Sequence, residues 1–230
     1  METDCKIITS IEKQPNRQRY HIYVNGLPAF NVHEDILVKH RLSKGRAIDP
    51  DLEAAILRDE EYQQAYLDAL RWLGVKARTR HEIMERLMRK GYAQAAAEEA
   101  LRRLEAQGYV NDADFARRWA DERLRVHKRG RRWIRQELKE KGLSEEHIHA
   151  ALAELDEQAE AESALELARK RWRSLSGGRE DSGRKRKQKV MAYLLRRGFS
   201  PEAAAEAVRT AAEEQPDETD GTEEVFGDWP

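Results

Sequence analysis

This chain has almost no cysteine, few aromatic residues and no long apolar run. Cys5 is the single cysteine, which excludes an intramolecular disulfide and any metal site built on several thiolates. No stretch approaches the roughly 18 apolar residues of a membrane span, and the start, METDCKIITSIEK, lacks a basic segment followed by an apolar one. The expectation is a cytoplasmic protein with no membrane partner. The histidines show no metal-ligand spacing, and His147 and His149 flank Ile148 at i and i+2, the wrong interval for one helix face. Phosphate-binding glycine loops and nucleophile–base pairs are also missing. The sequence therefore motivates no catalytic residue, no metal and no cofactor.

Charge is what the chain has in quantity. Asp, Glu, Lys and Arg make up 37% of it, a proportion that implies modest burial per residue and many exposed helix faces. Its distribution is uneven. Glu213 to Pro230 holds eight acidic residues and no Lys or Arg, so the formal charge of -1 for the whole chain means +7 for residues 1–212. A basic body with an acidic tail fits a polyanionic or charged-protein partner, although such tails also serve only to solubilise.

Residues 1–50 read as a small β extension. RYHIYV alternates, with Tyr20, Ile22 and Val24 on one face, and Asn25-Gly26 suits a tight type I′ hairpin before LPAFNV. Together with CKIITSIEK this predicts three short antiparallel strands, followed by a helical piece over Glu34–Lys39 and a loop, LSKGRAIDPD.

From about Glu60 to Glu213 the pattern is helical throughout and repeats. Gly91, Gly142 and Gly198 each follow a helix ending in Lys or Arg, and each precedes an apolar residue, Tyr92, Leu143 and Phe199. Apolar positions match around these joints: Ile83, Ile134 and Val190 lie eight residues before the glycines, and Leu87, Leu138 and Leu194 four before. Downstream, Leu101, Leu152 and Val208 correspond, as do Leu104, Leu155 and Ala211. Each joint is preceded by a further amphipathic helix. Start signals agree: Thr79 with Glu82 forms a capping box, Ser144 is an N-cap, and Ser200-Pro201 sets a cap before a proline. The fold expected is mainly α, three tandem three-helix repeats in an elongated arrangement, with repeats over 51–110, 111–156 and 157–213 and an acidic disordered tail over 214–230.

The second repeat departs from its siblings. Met84 and Met88 in the first and Met191 and Leu195 in the third correspond to Arg135 and Lys139, while Trp133 adds apolar surface beside Ile134. This predicts a central helix whose buried face is turned by about 100° and which presents a basic face that its siblings bury. Nine Lys or Arg fall between Arg117 and Arg135, against only Asp121 and Glu122. Such a cluster can neutralise phosphates or pair with a partner's carboxylates, or can be a solvated face balanced by neighbouring acids. Arg123 falls in the apolar seam of its helix, where a structural ion pair is expected. A second basic run, GRKRKQKV, opens the middle helix of the third repeat, where cations oppose the helix dipole. Trp72, Trp119, Trp133 and Trp172 lie on apolar faces and are expected in the core, leaving Trp229 in the tail exposed.

GYVNDADFARRWADERL followed by KRGRRWIRQELKEKGL resembles the signature core of the RecX family of bacterial regulatory proteins. ITSIEKQPNRQRYHIYVNGLPAFNVHEDILVKHRLSKG resembles the amino-terminal extension of its longer members, and YLDALRWLGVKARTRHEIMERLMRKGY their first helical unit. Where many members carry Lys-Gly-Pro before RIRQEL, this chain has Lys128, Arg129, Gly130, Arg131, Arg132 and Trp133. The resemblance implies a non-enzymatic regulator that binds the RecA recombinase and its filament on single-stranded DNA, lodges in the filament groove, and inhibits ATP hydrolysis, strand exchange and SOS induction. On that reading the contact surface comprises Arg118, Lys128, Arg129, Arg131, Arg132, Arg135 and Lys139, with Arg184, Lys185, Arg186 and Lys187 secondary. A monomer is expected, with direct contact to single- or double-stranded DNA as a further partner. Two other readings stay open: a helix-turn-helix DNA binder independent of RecA, and a helical scaffold whose basic face meets an acidic protein.

Overall fold

Asn25 and Gly26 take φ of 50° and 80°, the left-handed pair that a two-residue hairpin needs. They join β2 (Arg19–Val24) to β3 (Leu27–His33), with Val24 opposite Leu27. Strand β1 (Lys6–Lys13) lies antiparallel on the other side of β2. Residues 6–15, 17–175 and 183–214 are described by this computed structural model. Cys5 at the start of the stretch predicted as the first strand, and the acidic tail beyond Glu214 with Trp229, lie outside them.

The sheet has four strands rather than the three expected, in the order β3-β2-β1-β4. The added strand, β4 (Ala47–Ile48), falls in the stretch predicted as loop and pairs with Lys6 and Ile7. Helix α1 (Glu34–Lys39) occupies the predicted span. Helix α2 (Pro50–Leu73) begins earlier than the apolar periodicity suggested. Its start is set by Asp49, whose carboxylate accepts the Leu52 amide at 2.7 Å, and by Pro50 at the first helical position. The helix serves two cores. Near its start Leu52 and Ile56 join Ile8, Ile22, Val32 and Ile48 of the sheet. Farther along, Ala65, Tyr66 and Ala69 join Ile83, Leu87, Leu101 and Leu104 from α3 (Arg80–Arg89) and α4 (Gln94–Ala106).

Buried polar groups on α2 tie this unit together, since a desolvated carboxylate persists only where partners replace its water. Glu60 accepts the His33 amide at 2.7 Å and pairs with Arg19 at 2.7 Å. Asp68 accepts from the Tyr92 hydroxyl at 2.6 Å, from Arg71 at 3.0 Å and from Lys90. Burial pushes the Tyr92 phenol up, and its bond to Asp68 adds to the effect. For Asp68, burial acts upward, but the bonds from Lys90 and Tyr92 and the nearby Arg71 charge prevail and hold its carboxyl below the usual range.

The chain divides between Asn111 and Asp112 into two compact units. The second contains two three-helix sets: α5 (Asp112–Arg125), α6 (Arg131–Glu140) and α7 (Glu145–Ala153), then α8 (Glu157–Ser174), α9 (Gly183–Arg196) and α10 (Pro201–Glu214). The apolar positions matched eight and four residues before the glycine joints and downstream of them are buried, including Ile134 and Leu138 in one core and Val190, Leu194 and Phe199 in the other. Gly91, Gly142 and Gly198 have φ of 93°, 74° and 89°, as a C′ glycine requires. The Thr79–Glu82 capping box is closed from both sides, and Ser144 and Ser200 accept the amides of His147 and Ala203.

Candidate nucleic-acid and partner interface

Between α5 and α6 the chain makes a tight connection in which Lys128 takes φ of 51°, a left-handed conformation uncommon for a residue with a side chain. Two bonds hold the turn: the Arg129 amide donates to the Arg123 carbonyl at 2.9 Å, and the Arg197 guanidinium donates to the His127 carbonyl at 3.1 Å. The chain then enters α6 through Gly130, which lies against the joint after α9. A Cβ on Gly130 would sit 2.3 Å from the Gly198 carbonyl group, and one on Gly198 would sit 2.4 Å from the Trp133 nitrogen. The amides of Gly130 and Arg132 donate to the carbonyls of Arg197 and Gly198, both at 3.0 Å. Glu160 of α8 accepts the Arg131 amide at 3.1 Å. Donors left over at the start of α6 thus meet acceptors left over at the end of α9.

This seam decides which of the predicted residues are available. Arg131 is turned inward: its guanidinium pairs with Glu160 at 2.5 Å and donates to the carbonyls of Leu152 and Leu155, each at 2.8 Å. Its side chain is a structural clamp with one edge in solvent. Arg186 departs further from the expectation of a surface contact. It is 6% exposed, bonds the Trp172 carbonyl at 2.6 Å and stacks 4.3 Å from the Trp172 ring. It falls on the buried stripe of α9, four residues before Val190, and that register overrides its charge.

Most of the remaining central set is matched by acids. Arg118, 81% exposed, shares Asp114 with Arg117, Lys128 pairs with Glu166 at 3.0 Å, and Arg125 with Asp121 at 2.6 Å. Arg135 and Lys139 share Glu145, at 3.3 and 2.5 Å. The bond from Lys139, with Arg135 beside it, holds the Glu145 carboxyl below the usual range. Arg123 makes the structural pair expected of it, with Glu137 at 2.9 Å, and stacks on Trp119. Among the described residues, Arg129 and Arg132 are the members of the central set without a carboxylate within ion-pair distance.

Arg131, Arg132 and Arg135 come together with His149, Leu152 and Ala153 around a cleft of about 310 Å³ between α6 and α7. His149 enters through packing between helices, which its spacing to His147 within α7 could not reveal. Arg184, Lys185 and Lys187 are exposed at the far end of α9, roughly 15–20 Å along the helix from its contact with α6. They form a separate group. A further cleft of about 380 Å³ in the first unit is lined by both signs of charge, and there Gln63 donates to Asp35 and accepts from Arg103.

Two expectations about the central helix change. Ile134 and Leu138 stay buried, so the buried face is not turned, and Trp133 lies outside the core at 38% exposed with Arg129 stacked 4.1 Å from its ring. The sibling positions are rim positions: Met88 and Leu195 are 44% and 39% exposed, and Met84 and Met191 are half-buried. Arg135 and Lys139 therefore replace partly exposed apolar residues and do not uncover a buried face. Trp172 is buried as expected, and Trp72 and Trp119 are half-buried.

Among the described residues no group of His, Cys, Asp and Glu is placed to hold a metal, and no helix is long and apolar enough to cross a membrane.

The chain matches four family models in series: the regulatory protein RecX N-terminal domain over residues 6–49, and the RecX first, second and third three-helix domains over 65–104, 111–152 and 158–208. Regulatory protein RecX of Bacillus cytotoxicus is 33% identical over 216 residues, 92% of this chain and 79% of that protein. Its counterpart in Limosilactobacillus reuteri is 32% identical over 210 residues, 91% and 78% of the two chains. A crystal structure of regulatory protein RecX superposes with a TM-score of 0.77 at 32% identity, covering 89% of this chain and 99% of that one. RecX from Lactobacillus salivarius, at 22% identity and a TM-score of 0.63 over 67% of this chain, shares the fold.

Proposed function

We propose that this chain, which belongs to the RecX family of regulatory proteins, regulates DNA repair by binding the RecA recombinase. It engages the RecA filament on single-stranded DNA and inhibits its ATP hydrolysis, strand exchange and SOS-inducing activity. It acts in the cytoplasm as a monomer and catalyses nothing itself; the nucleotide belongs to the partner. The observation that carries this reading is the exposed basic surface of α5 and α6, where Arg118, Lys128, Arg129, Arg132, Arg135 and Lys139 stand on a rigid seam. Their exposed ion pairs are each worth little and exchange readily for a partner's phosphates or carboxylates. Arg184, Lys185 and Lys187 supply a second contact.

The test is RecA ATP hydrolysis on single-stranded DNA during titration with the protein, alongside binding to the same DNA without RecA. Inhibition is expected well below the concentration that coats naked DNA. Arg135→Glu with Lys139→Glu is expected to abolish filament binding with helix content and Tm preserved, because both side chains are half in solvent. No inhibition together with tight binding to bare DNA would instead favour a RecA-independent DNA-binding protein. The cleft between α6 and α7, whose charged lining is all arginine, gives that second reading its support.

A further inference from the structure

We propose that the acidic segment following Glu214 docks against the basic end of the third repeat and holds that surface closed to other polyanions. The surface is then occupied by the chain itself, and the inference stands whether or not RecA is the partner.

The helices of this repeat bring opposite charges to one end of the bundle. Arg186, in the first turn of α9, bonds the Trp172 carbonyl at 2.6 Å near the end of α8. Arg169 of α8 grips Glu214, the last residue of α10, through a forked pair of bonds at 2.7 and 2.5 Å. Helices α8 and α10 therefore finish where α9 begins. Arg184 to Lys187 are all basic and the first turn of α9 has no acid, whereas α10 closes on Glu213-Glu214 with no base in its last turn. Each set opposes the dipole of its own helix, and because the two sets share one end of the bundle, each offsets the other.

The offset is incomplete, and the missing charge is carried by the chain that follows. Lys170, Arg171, Arg173, Arg184, Lys185 and Lys187 are exposed at this end and have no carboxylate within ion-pair distance among the described residues. Around α5 and α6, by contrast, Arg118, Arg125, Lys128, Arg135 and Lys139 each have an acid. Beyond Glu214 come Asp217, Glu218, Asp220, Glu223, Glu224 and Asp228, with no Lys or Arg among them. Six unmatched cations meet six unmatched anions. The segment also starts in the right place: Glu214 is fastened to Arg169, and Arg173 stands one turn farther along the same face of α8, its Nε donating to the Arg169 carbonyl at 3.4 Å. Residues 215–230 can span up to roughly 50 Å when extended, while packed helices stand only about 8–10 Å apart. So short a tether keeps the acids near the patch at an effective concentration on the order of millimolar. Exposed pairs that are individually weak then suffice to hold the segment, and a free polyanion has to displace it.

The test uses the full chain. Cys5 is the single cysteine, so Cys5→Ser with Thr222→Cys places one nitroxide in the acidic segment. In the isotope-labelled protein at about 50 mM salt, the amides of Arg173, Arg184 and Lys187 are expected to broaden strongly by paramagnetic relaxation. Those of Ala203 and Ala204, at the other end of α10, should broaden far less, and the effect should fade by about 0.5 M salt. Converting the six acids beyond Glu214 to their amides leaves every described residue in place. That variant is expected to bind oligo-dT, without RecA, about tenfold more tightly than wild type at the lower salt. With Arg184→Gln, Lys185→Gln and Lys187→Gln already present, the gain is expected to shrink to about twofold, because much of the docking surface is gone. Three results would each overturn the proposal: no broadening at the start of α9, broadening only between spin-labelled and isotope-labelled copies mixed together, or an undiminished gain in the chain lacking the three cations. The second result would seat the segment on another copy, and the third would reduce it to long-range repulsion. RecA is absent throughout, so failure here leaves the ATPase result standing, and an ATPase failure leaves this one standing.

Discussion

Adjacent arginines of one helix turn do opposite work, and the difference is set by what the guanidinium reaches. Arg131 satisfies Glu160 and two carbonyls at once, so Arg131→Met should strand a buried carboxylate and destabilise the chain by about 3 kcal/mol in urea unfolding. Arg132→Ala should fall within about 0.5 kcal/mol of wild type. A second residue-scale consequence concerns acid. Asp68 and Asp59 both sit below the usual carboxylate range: against burial, Lys90 and Tyr92 hold Asp68 down, and Lys39 and His40 hold Asp59 down. A carboxyl depressed in the fold stabilises it only while ionised. That contribution is complete above the ordinary value near pH 4 and is lost as pH falls through the depressed one. Tm should therefore drop on acidification from about pH 5 to 3. Asp68→Asn should lower Tm at pH 5 and make the acid slope shallower.

At the scale of elements, the three glycine joints were legible because a C′ glycine, a basic last turn and an apolar successor are local signals that repeat at one spacing. The repeat cores followed from the same register. The early start of α2 is written in Asp49-Pro50, a cap and a first-turn proline, but the clear apolar periodicity begins later, where the helix leaves the sheet for the helical core. Strand β4 is two residues long and pairs with a segment some forty positions away, a contact with no local pattern. For the site, the identity of the basic residues was readable and their direction was not. Arg186 lies on a buried stripe, His149 lines a cleft with residues of another helix, and Trp133 lies one position off the buried Ile134–Leu138 stripe of α6. Gly198 joins both kinds of constraint. Its φ of 89° and the contact with Trp133 predict that Gly198→Ala costs at least about 2 kcal/mol, more than a left-handed glycine joint in open space such as Gly91. Paired denaturant curves of the two variants test that ranking.

For the molecule as a whole, charge and cooperativity are distributed differently. The +7 of residues 1–212 is spread over many exposed pairs that salt weakens individually, whereas the join between the second and third repeats combines backbone bonds with the Arg131–Glu160 clamp. The amides of Gly130 and Arg132 close on carbonyls of the α9 joint, so neither repeat can open along this edge without exposing donors of one and acceptors of the other. In hydrogen exchange, the Arg132 amide and the central amides of α9 should share one opening free energy, although they belong to different repeats. A slower rate for α9 than for Arg132 would show that the two open separately. Shared opening carries a consequence for damage: a lesion that melts the third repeat would also unseat the first turn of α6, silencing the basic face without altering a single charge on it.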